Sequence, residues 1–388
     1  MTDLEETLIE FDAFESAALR LTVDLGAVVD NWRTMARLSG KARTAAVVKA
    51  DAYGLGIEDV GQALYQAGAR DFFVATPSEG VSLRPYAPEA RIFVLSGIWP
   101  GQEPHFFGYD LVPVIASEQQ LAFWTGCVAD HGDHPCALQV DTGFNRLGLA
   151  LEDALELADD TSRPASLSPV LVLSHLACAD DPMSPMNRLQ LESFRKVSAA
   201  FEGIESSLSA SAGILLGSAY HFDLTRPGIS LYGSRASSID TPAMRTVATA
   251  EARVLQVRDA RAGETVGYGG MHKVARDSRL AIASVGYADG YMRNLSGAGV
   301  ALRDTGIAGG FGHVAGHLVP IAGRVTMDLT IFDITDLPGN AVRAGDYIQL
   351  FGPDLSVDDV AKAAGTIGYE MLTSLGLRYE RQILPVEA

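Results

Sequence analysis

The sequence predicts an α/β fold: a (β/α)8 TIM-type barrel followed by a mostly β C-terminal domain. Three observations carry this expectation. Short apolar strand candidates recur at intervals of about 15 to 35 residues between positions 44 and 233. Amphipathic helix patterns such as IEDVGQALYQAG and RLQLESFRKVSAAFEG fill most of the intervals. After about Gly233 the helical periods give way to short alternating stretches.

The strand candidates, in order, begin with TAAVVKA from Thr44, DFFVAT from Asp71, RIFVLSG from Arg91 and LVPVIAS from Leu111. CALQVDTG from Cys136, PVLVLSHLA from Pro169, SLSASAG from Ser207 and DLTRPGISLYG from Asp223 complete the set. Near-continuous apolar runs of this kind suit parallel strands buried on both faces. A doubly wound sheet competes, but it usually has fewer strands. It also calls for a Gly-rich phosphate turn after its first strand, which is absent here. The later stretches ARVLQVRDA, RLAIASVGYA, VPIAGRVTM and YIQLFG are separated by Gly, Pro and Asp, as in a β domain. The expected division is a barrel over residues 18–240 and a β domain over 241–388, with residues 1–17 packed against the latter or loose.

Composition narrows the function classes. At 388 residues the chain exceeds one small core, and 47% hydrophobic with 20% charged residues is ordinary for a globular protein. Thirty basic against 48 acidic side chains give a net charge of −18, which repels phosphate backbones and argues against nucleic acid as a partner. The apolar runs are too short to span a bilayer. The opening MTDLEETLIEFDAFES lacks the basic start and apolar centre of a secretory signal, so a cytoplasmic location is expected. Cys127, Cys136 and Cys178 form no CxxC pattern, which fits a reducing compartment and no zinc cluster. His313 and His317 sit in GGFGHVAGH, which reads as a loop rather than a metal-binding helix, and no metal site is expected.

Function in such a barrel gathers at the C-terminal ends of the strands. Strand one ends at Lys49, with Tyr53 close behind; strand five runs into VDTGFNRLG and brings Arg146. Strand six ends at Ser174-His175, strand seven at Ser209-Ala210-Ser211, and strand eight at Arg226 before Pro227-Gly228. Taken singly these are weak signals. A lone lysine is usually solvated, and a lone histidine near a strand end is usually a hydrogen-bonded structural residue. Their coincidence on one rim is harder to dismiss. A lysine at an apolar strand end can form a Schiff base, its pKa lowered by burial from about 10.4. The Ser-Ala-Ser and Pro-Gly-Ile segments offer hydroxyls and N–H groups to a phosphate. Pyridoxal 5'-phosphate is the cofactor that needs all of these together.

At these residues the sequence resembles the alanine racemase family. The matching motifs run in the family's order from VVKADAYGLG through VDTGFNRLG, SHLACAD, RPGISLYG, ETVGYGG, VGYADGY and GRVTMDLT to YEMLTSLG. The resemblance implies a pyridoxal-phosphate barrel followed by a β domain. It implies that Lys49 holds the cofactor, that Tyr53, Ser211, Gly228, Ile229 and Tyr369 bind its phosphate, and that Arg226 faces the pyridine nitrogen. His175 would lie against the ring and connect Tyr268 to Arg226. Arg146 would contact the phenolic oxygen and the substrate carboxylate, with Met327 near that carboxylate. Asp328 would support this region, and Tyr287 would shape the substrate pocket.

The implied reaction interconverts L- and D-alanine by a two-base mechanism, supplying D-alanine for peptidoglycan. Lys49 would serve one face of the α-carbon and Tyr268 the other; a lysine and a tyrosine are bases of comparable strength. A fixed positive charge at the ring nitrogen from Arg226 would disfavour its protonation and limit a long-lived carbanion. The resemblance further implies a head-to-tail homodimer in which Tyr268 reaches Lys49 of the other subunit.

Several positions depart from common family patterns. Gln139 stands where many members have a carbamylated lysine, and it is placed to hydrogen-bond to Arg146 without carrying that charge. Leu55 replaces a frequent histidine, and Thr326 a frequent cysteine before Met327-Asp328. Gly-Gly-Met-His after Tyr268 lacks a usual aromatic. Two rivals follow: a serine or broad-specificity racemase, and a barrel that carries the cofactor without catalysis. The second lacks a β domain, so the Tyr268, Tyr287 and Met327-Asp328 motifs argue against it.

Overall fold

The computed structural model describes residues 13–160, 167–237, 243–297 and 309–387. Its contacts divide the chain into two units, one over Asp24–Val247 and one joining the residues up to Val23 to Ala248–Leu384.

The first unit is the barrel. Seven parallel strands follow one another in chain order: Ala46–Val47, Asp71–Val74, Arg91–Val94, Leu111–Ile115, His134–Gln139, Leu167–Leu173 and Glu205–Ser207. Every residue of DFFV and LVPVI is buried, as strands covered by helices outside and packed side chains inside require. Phe73 and Phe93 stack at 4.7 Å, each burying enough apolar surface to contribute roughly 2 kcal/mol. The eighth strand, Leu224–Thr225, closes the ring. It pairs in parallel with Arg43–Thr44, while Arg226 N–H reaches Ser209 O at 2.8 Å and Asp223 N–H reaches Ser206 O at 3.0 Å.

The seventh strand is shorter and earlier than SLSASAG. Past Ser207 the serines turn to other partners: Ser209 Oγ donates to Tyr220 O at 2.8 Å, and Ser211 opens a helix over Ser211–Leu215. Small polar residues offer the backbone such alternatives to a ladder. The outer helices start on side-chain caps, Asp24 on Leu25–Ser39, Thr76 on Pro77–Leu83 and Ser117 on Glu118–His131.

The two mouths of the barrel differ. At the N-terminal mouth, the first residues of four strands make a closed ion-pair ring. Arg43 and Arg91 each bond both Asp71 and Glu205, with Arg91–Asp71 at 2.6 Å and Arg91–Glu205 at 2.9 Å. That mouth is tied together by ion pairs, whereas the C-terminal rim is where such barrels carry their chemistry.

The second unit is mostly β. Its hub is the 13-residue strand Ala248–Ala260, which pairs antiparallel with Leu19–Asp24, Tyr347–Phe351 and Ser278–Ala283. Ser278–Ala283 in turn pairs with Thr330–Asp333. Val266, Val274, Leu280 and Ala322 fill a small core beside it. The GGFGHVAGH stretch forms a hairpin rather than a loop. Phe311–Val314 pairs with His317–Pro320 across a turn in which Ala315 and Gly316 take φ of 52° and 80°. Positive φ at both turn positions matches the twist of the flanking strands. Among the described residues no helix is long and apolar enough to cross a membrane.

Candidate active site

Lys49 heads an unusual piece of backbone. Directly after it, Ala50, Asp51, Ala52 and Tyr53 all adopt left-handed conformations, with φ between 52° and 57°, before Gly54 continues at 82°. Each non-glycine residue held there costs about 1–3 kcal/mol, so the turn persists only if its surroundings over-determine it. They do. Asp51 Oδ1 accepts Ile57 N–H at 2.8 Å, Glu79 Oε1 accepts Ala50 N–H at 2.6 Å, and Ala52 N–H returns to Val48 O at 2.9 Å. Lys49 is left half-buried at the rim, and Tyr53 is buried with its ring 4.5 Å from that of Tyr232. Tyr232 Oη donates to Val47 O at 2.9 Å, fixing this aromatic pair to the end of strand one.

A cradle of small groups lies against the Tyr53 hydroxyl. Ser211 Oγ accepts the N–H groups of Gly228 at 2.9 Å and Ser230 at 3.4 Å. A Cβ at position 228 would stand 2.4 Å from Tyr53 Oη and 3.4 Å from Val47 Cβ, so only glycine fits. Ile229 is buried at the start of a 3-10 turn over Ile229–Tyr232. Tyr53, Ser211, Gly228 and Ile229 are therefore gathered at one spot.

Arg226 is buried at the centre of the rim. Its guanidinium donates to Ser207 Oγ, to Ser174 O at 2.6 Å and to Leu208 O at 3.4 Å, and lies 5.7 Å from the Phe73 ring. No carboxylate is among these partners. Burial pulls its pKa down to about 10, which still leaves a cation at neutral pH. Burial, followed by the charges of Arg226, Arg146 and Lys49, drives His175 down to about 3, so that imidazole is neutral. Lys49 is lowered by burial and then by Arg146, with Glu79 opposing. Excess positive charge around a buried arginine without a counter-ion describes a site for an anionic ligand.

Arg146 comes from the loop after strand five. Asp141 Oδ1 accepts three successive N–H groups, from Gly143 and Phe144 at 2.8 Å and Asn145 at 3.2 Å, which folds VDTGFNRLG into a tight bend. The Arg146 guanidinium lies 4.2 Å over Phe144, whose ring is 5.6 Å from His175. The position of Gln139 in the sequence points to a bond with Arg146, which the structure does not contain. Gln139 Nε2 donates instead to Leu147 O at 3.0 Å, because the bend brings that carbonyl back over the strand.

The remaining residues of interest lie on the β unit. Tyr268 is 73% exposed at the start of a 3-10 turn, and Tyr287, Met327, Asp328 and Tyr369 are exposed as well. Three segments are stitched together here. Tyr287 N–H bonds Thr326 O at 2.9 Å and Ala288 N–H bonds Met327 O at 3.1 Å. A Cβ at Gly286 would come within 2.2 Å of both carbonyl oxygens. Arg378 Nε donates to the buried Asp289 at 2.5 Å and its Nη1 to Asp328 at 2.7 Å. Tyr369 belongs to the helix Gly368–Thr373, and the chain beyond it returns through Gly376 N–H to Asp289 O at 3.1 Å. Thr326 Oγ1 donates to Leu329 O at 2.8 Å, so it shapes the turn that presents Met327-Asp328.

Against this geometry, comparison with known proteins is direct. The family model for the N-terminal domain of alanine racemase matches residues 23–236, and that for the C-terminal domain matches residues 247–383. The chain belongs to the alanine racemase family. It is 72% identical over 375 residues to the biosynthetic alanine racemase of Agrobacterium fabrum, covering 97% of this chain and 96% of the relative. The alanine racemase of Rhizobium meliloti is 60% identical, with 95% and 97% covered. Among solved structures, the Bartonella henselae alanine racemase with covalently bound pyridoxal phosphate superposes with a TM-score of 0.87 at 37% identity, covering 95% of this chain and all of that one.

Glu79, Ser207 and Arg378 lie outside the site residues that the sequence motifs point to. Glu79 carried a signal, since Thr76-x-x-Glu79 before an apolar run is a capping box. Ser207 and Arg378 carried none, because each acts through partners distant in sequence.

Proposed function

We propose that the protein is an alanine racemase, interconverting L- and D-alanine with pyridoxal phosphate and supplying D-alanine for peptidoglycan. The observation that carries this reading is the buried Arg226, a cation with no carboxylate partner among the described residues, set among Lys49, His175 and the Ser211–Gly228 cradle. The donor set fits the cofactor. Tyr53, Ser211, the N–H groups of Gly228 and Ile229, and Tyr369 would hold its phosphate; Arg226 would face its ring nitrogen, His175 its ring and Arg146 its phenolic oxygen. Pyridoxal phosphate would supply an electrophilic carbon on which the substrate amine displaces the Lys49 amine, and a conjugated ring that acidifies the α-hydrogen.

The chain's own residues do the rest. The lowered pKa of Lys49 makes its amine available as a base, and Tyr268 is the second base for the opposite face of the α-carbon. Neutral His175 and cationic Arg226 keep the ring environment from being protonated. Arg146 and the backbone of Met327 orient the substrate carboxylate; Asp328, tied to Arg378, keeps Met327 in place, and Tyr287 limits side-chain size.

The working unit is a head-to-tail homodimer in which the partner copy delivers Tyr268; the exposure of Tyr268 supports this. Three unevenly spaced cysteines without a CxxC pattern support a cytoplasmic location, and the net charge of −18 argues against nucleic acid. The β domain that follows the barrel in the chain favours catalysis over mere cofactor carriage.

The test is proton exchange. Purified enzyme in heavy water is given separate L-amino acids, and loss of each α-proton is followed by NMR beside chiral analysis. Exchange with alanine that yields both enantiomers and far exceeds serine or lysine supports the assignment. Equal exchange across side chains moves it to a broad-specificity racemase. No exchange in the cofactor-loaded protein defeats it. Mixing inactive Lys49→Ala and Tyr268→Phe variants tests the dimer: activity returns only if two copies share each site.

A further inference from the structure

We propose that Glu79 is a positioning residue for Lys49, tying the first peptide of the left-handed turn to the end of the neighbouring strand. This rests on Lys49 being the point of cofactor attachment.

The carboxylate works in two directions. Oε2 accepts the N–H groups of Ala75 at 2.7 Å and Thr76 at 3.2 Å, the two residues that follow strand Asp71–Val74. This is the return half of an ordinary capping box, with Thr76 Oγ1 accepting Glu79 N–H at 3.4 Å. Helix capping requires nothing more of the residue. Oε1 nevertheless reaches across to Ala50 N–H at 2.6 Å, the shortest of its three bonds.

Ala50 is where the chain departs from the strand into four consecutive left-handed residues. None of Ala50, Asp51, Ala52 or Tyr53 has an intrinsic reason to stay there. Ala52 is held by Val48 O and Asp51 by its own side chain on Ile57 N–H, but among the described hydrogen bonds the Ala50 amide has Glu79 as its partner. Releasing that peptide frees the backbone immediately after Lys49. A small rotation there is carried along the side chain to the amine. The same carboxylate is the one charge that favours the protonated amine, against burial and Arg146.

Thr76 provides the discriminating control. Thr76→Ala removes the hydroxyl half of the cap and leaves the Glu79–Ala50 bond; Glu79→Ala keeps that hydroxyl and removes the carboxylate half of the cap together with the Ala50 bond. Glu79→Gln offers one amide oxygen, enough for the Ala50 side or the Ala75 side but not both. Each holoenzyme is reduced with borohydride and digested to locate the cofactor on Lys49. Hydrogen exchange is then followed in peptides covering 49–56, and kcat and KM for alanine are measured. The expected result is exchange at 49–56 faster by about tenfold or more in Glu79→Ala, with the rest of the barrel unchanged. We expect kcat to fall by about tenfold with KM nearly constant, Glu79→Gln between the two, and Thr76→Ala like the parent. Normal exchange and kcat in Glu79→Ala, with the cofactor on Lys49, overturns the proposal. So does an equal loss in Thr76→Ala, or protection lost throughout the barrel, since either makes Glu79 a helix cap alone. Absence of label on Lys49 in the parent enzyme defeats the attachment reading itself, and the proposal with it.

Discussion

The Ser211 hydroxyl accepts the backbone N–H of Gly228 at 2.9 Å, so the amides after strand eight are ordered by the chain's own side chain. With its oxygen accepting there, the Ser211 hydroxyl keeps its own hydrogen to donate to a phosphate. Ser211→Ala should therefore weaken retention of pyridoxal phosphate by roughly tenfold, about the worth of one hydrogen bond to a charged group. Gly228→Ala should do more, because its Cβ meets the Tyr53 hydroxyl at 2.4 Å and Tyr53 is backed by Tyr232. Equilibrium dialysis followed by absorbance of the bound cofactor measures both. Equal retention by Gly228→Ala and the parent would show that the phosphate sits elsewhere.

His175 makes stability depend on pH in a defined direction. Unfolded, its imidazole binds a proton near pH 6.5; folded and without cofactor, burial and the neighbouring cations hold that off until about 3. Below pH 6.5 the unfolded state therefore carries the extra proton. The histidine's contribution is level above that pH and is lost progressively as pH falls from 6.5 towards 3, by at most about 5 kcal/mol. Urea unfolding of the cofactor-free chain and of His175→Asn, between pH 7.5 and 4.5, should show the parent losing ground to the variant as acid is added. Parallel profiles would mean that His175 is charged or solvated in the folded chain.

The legible part of the site was the part that is local in sequence. Strand ends place Lys49, Arg146, His175 and Arg226 on one rim because a parallel barrel puts every C-terminal strand end on the same side. The apolar runs DFFV and LVPVI gave the strands without ambiguity. What stayed hidden depends on long-range partners or on backbone conformation. Nothing in KADAY announces four consecutive left-handed residues, since alanine and tyrosine avoid positive φ and one aspartate is disposed to it only as a single residue. Gln139 points in sequence towards Arg146, but the bend closed by Asp141 brings Leu147 O nearer. Ser207 is the last residue of its strand, and its pattern gives no sign that its hydroxyl holds the Arg226 guanidinium while donating to Leu224 O at 2.5 Å.

Arg378 should reveal itself through substrate binding. It bridges the buried Asp289 in the Tyr287 turn and Asp328 beside Met327, while the chain just before it bonds Asp289 O. Replacing it by methionine leaves a buried carboxylate without its cation and frees two loops that carry proposed substrate contacts. We expect KM for alanine to rise by roughly fivefold or more, with a smaller change in kcat. Arg378→Lys should rescue only partly, because a point charge cannot serve two separated carboxylates as the guanidinium fork does. If instead kcat alone falls in the methionine variant, the loops serve proton transfer rather than substrate placement.

Two glycines of the Arg146 loop separate a steric demand from a conformational one. Gly148 has φ of +136°, and a Cβ there would stand 2.4 Å from Asp141 N and 2.7 Å from Val140 C, backbone atoms that cannot swing aside. The loop closes at this point, with Asp141 N–H on Leu149 O at 2.9 Å and Leu149 N–H on Gln139 O at 2.8 Å. Gly143, at φ of +121°, would meet only Gln190 Cγ and Met186 Sδ, both at 3.8 Å. Gly143→Ala should therefore cost about 1 kcal/mol of backbone strain and leave alanine turnover nearly intact. Gly148→Ala must break the closure, costing about 2–4 kcal/mol and shifting Arg146, so KM for alanine rises as well. Denaturant melts with steady-state kinetics on both variants decide this. If the two behave alike, strain alone governs the loop; if only Gly148→Ala loses both stability and substrate affinity, the closure is what aims Arg146.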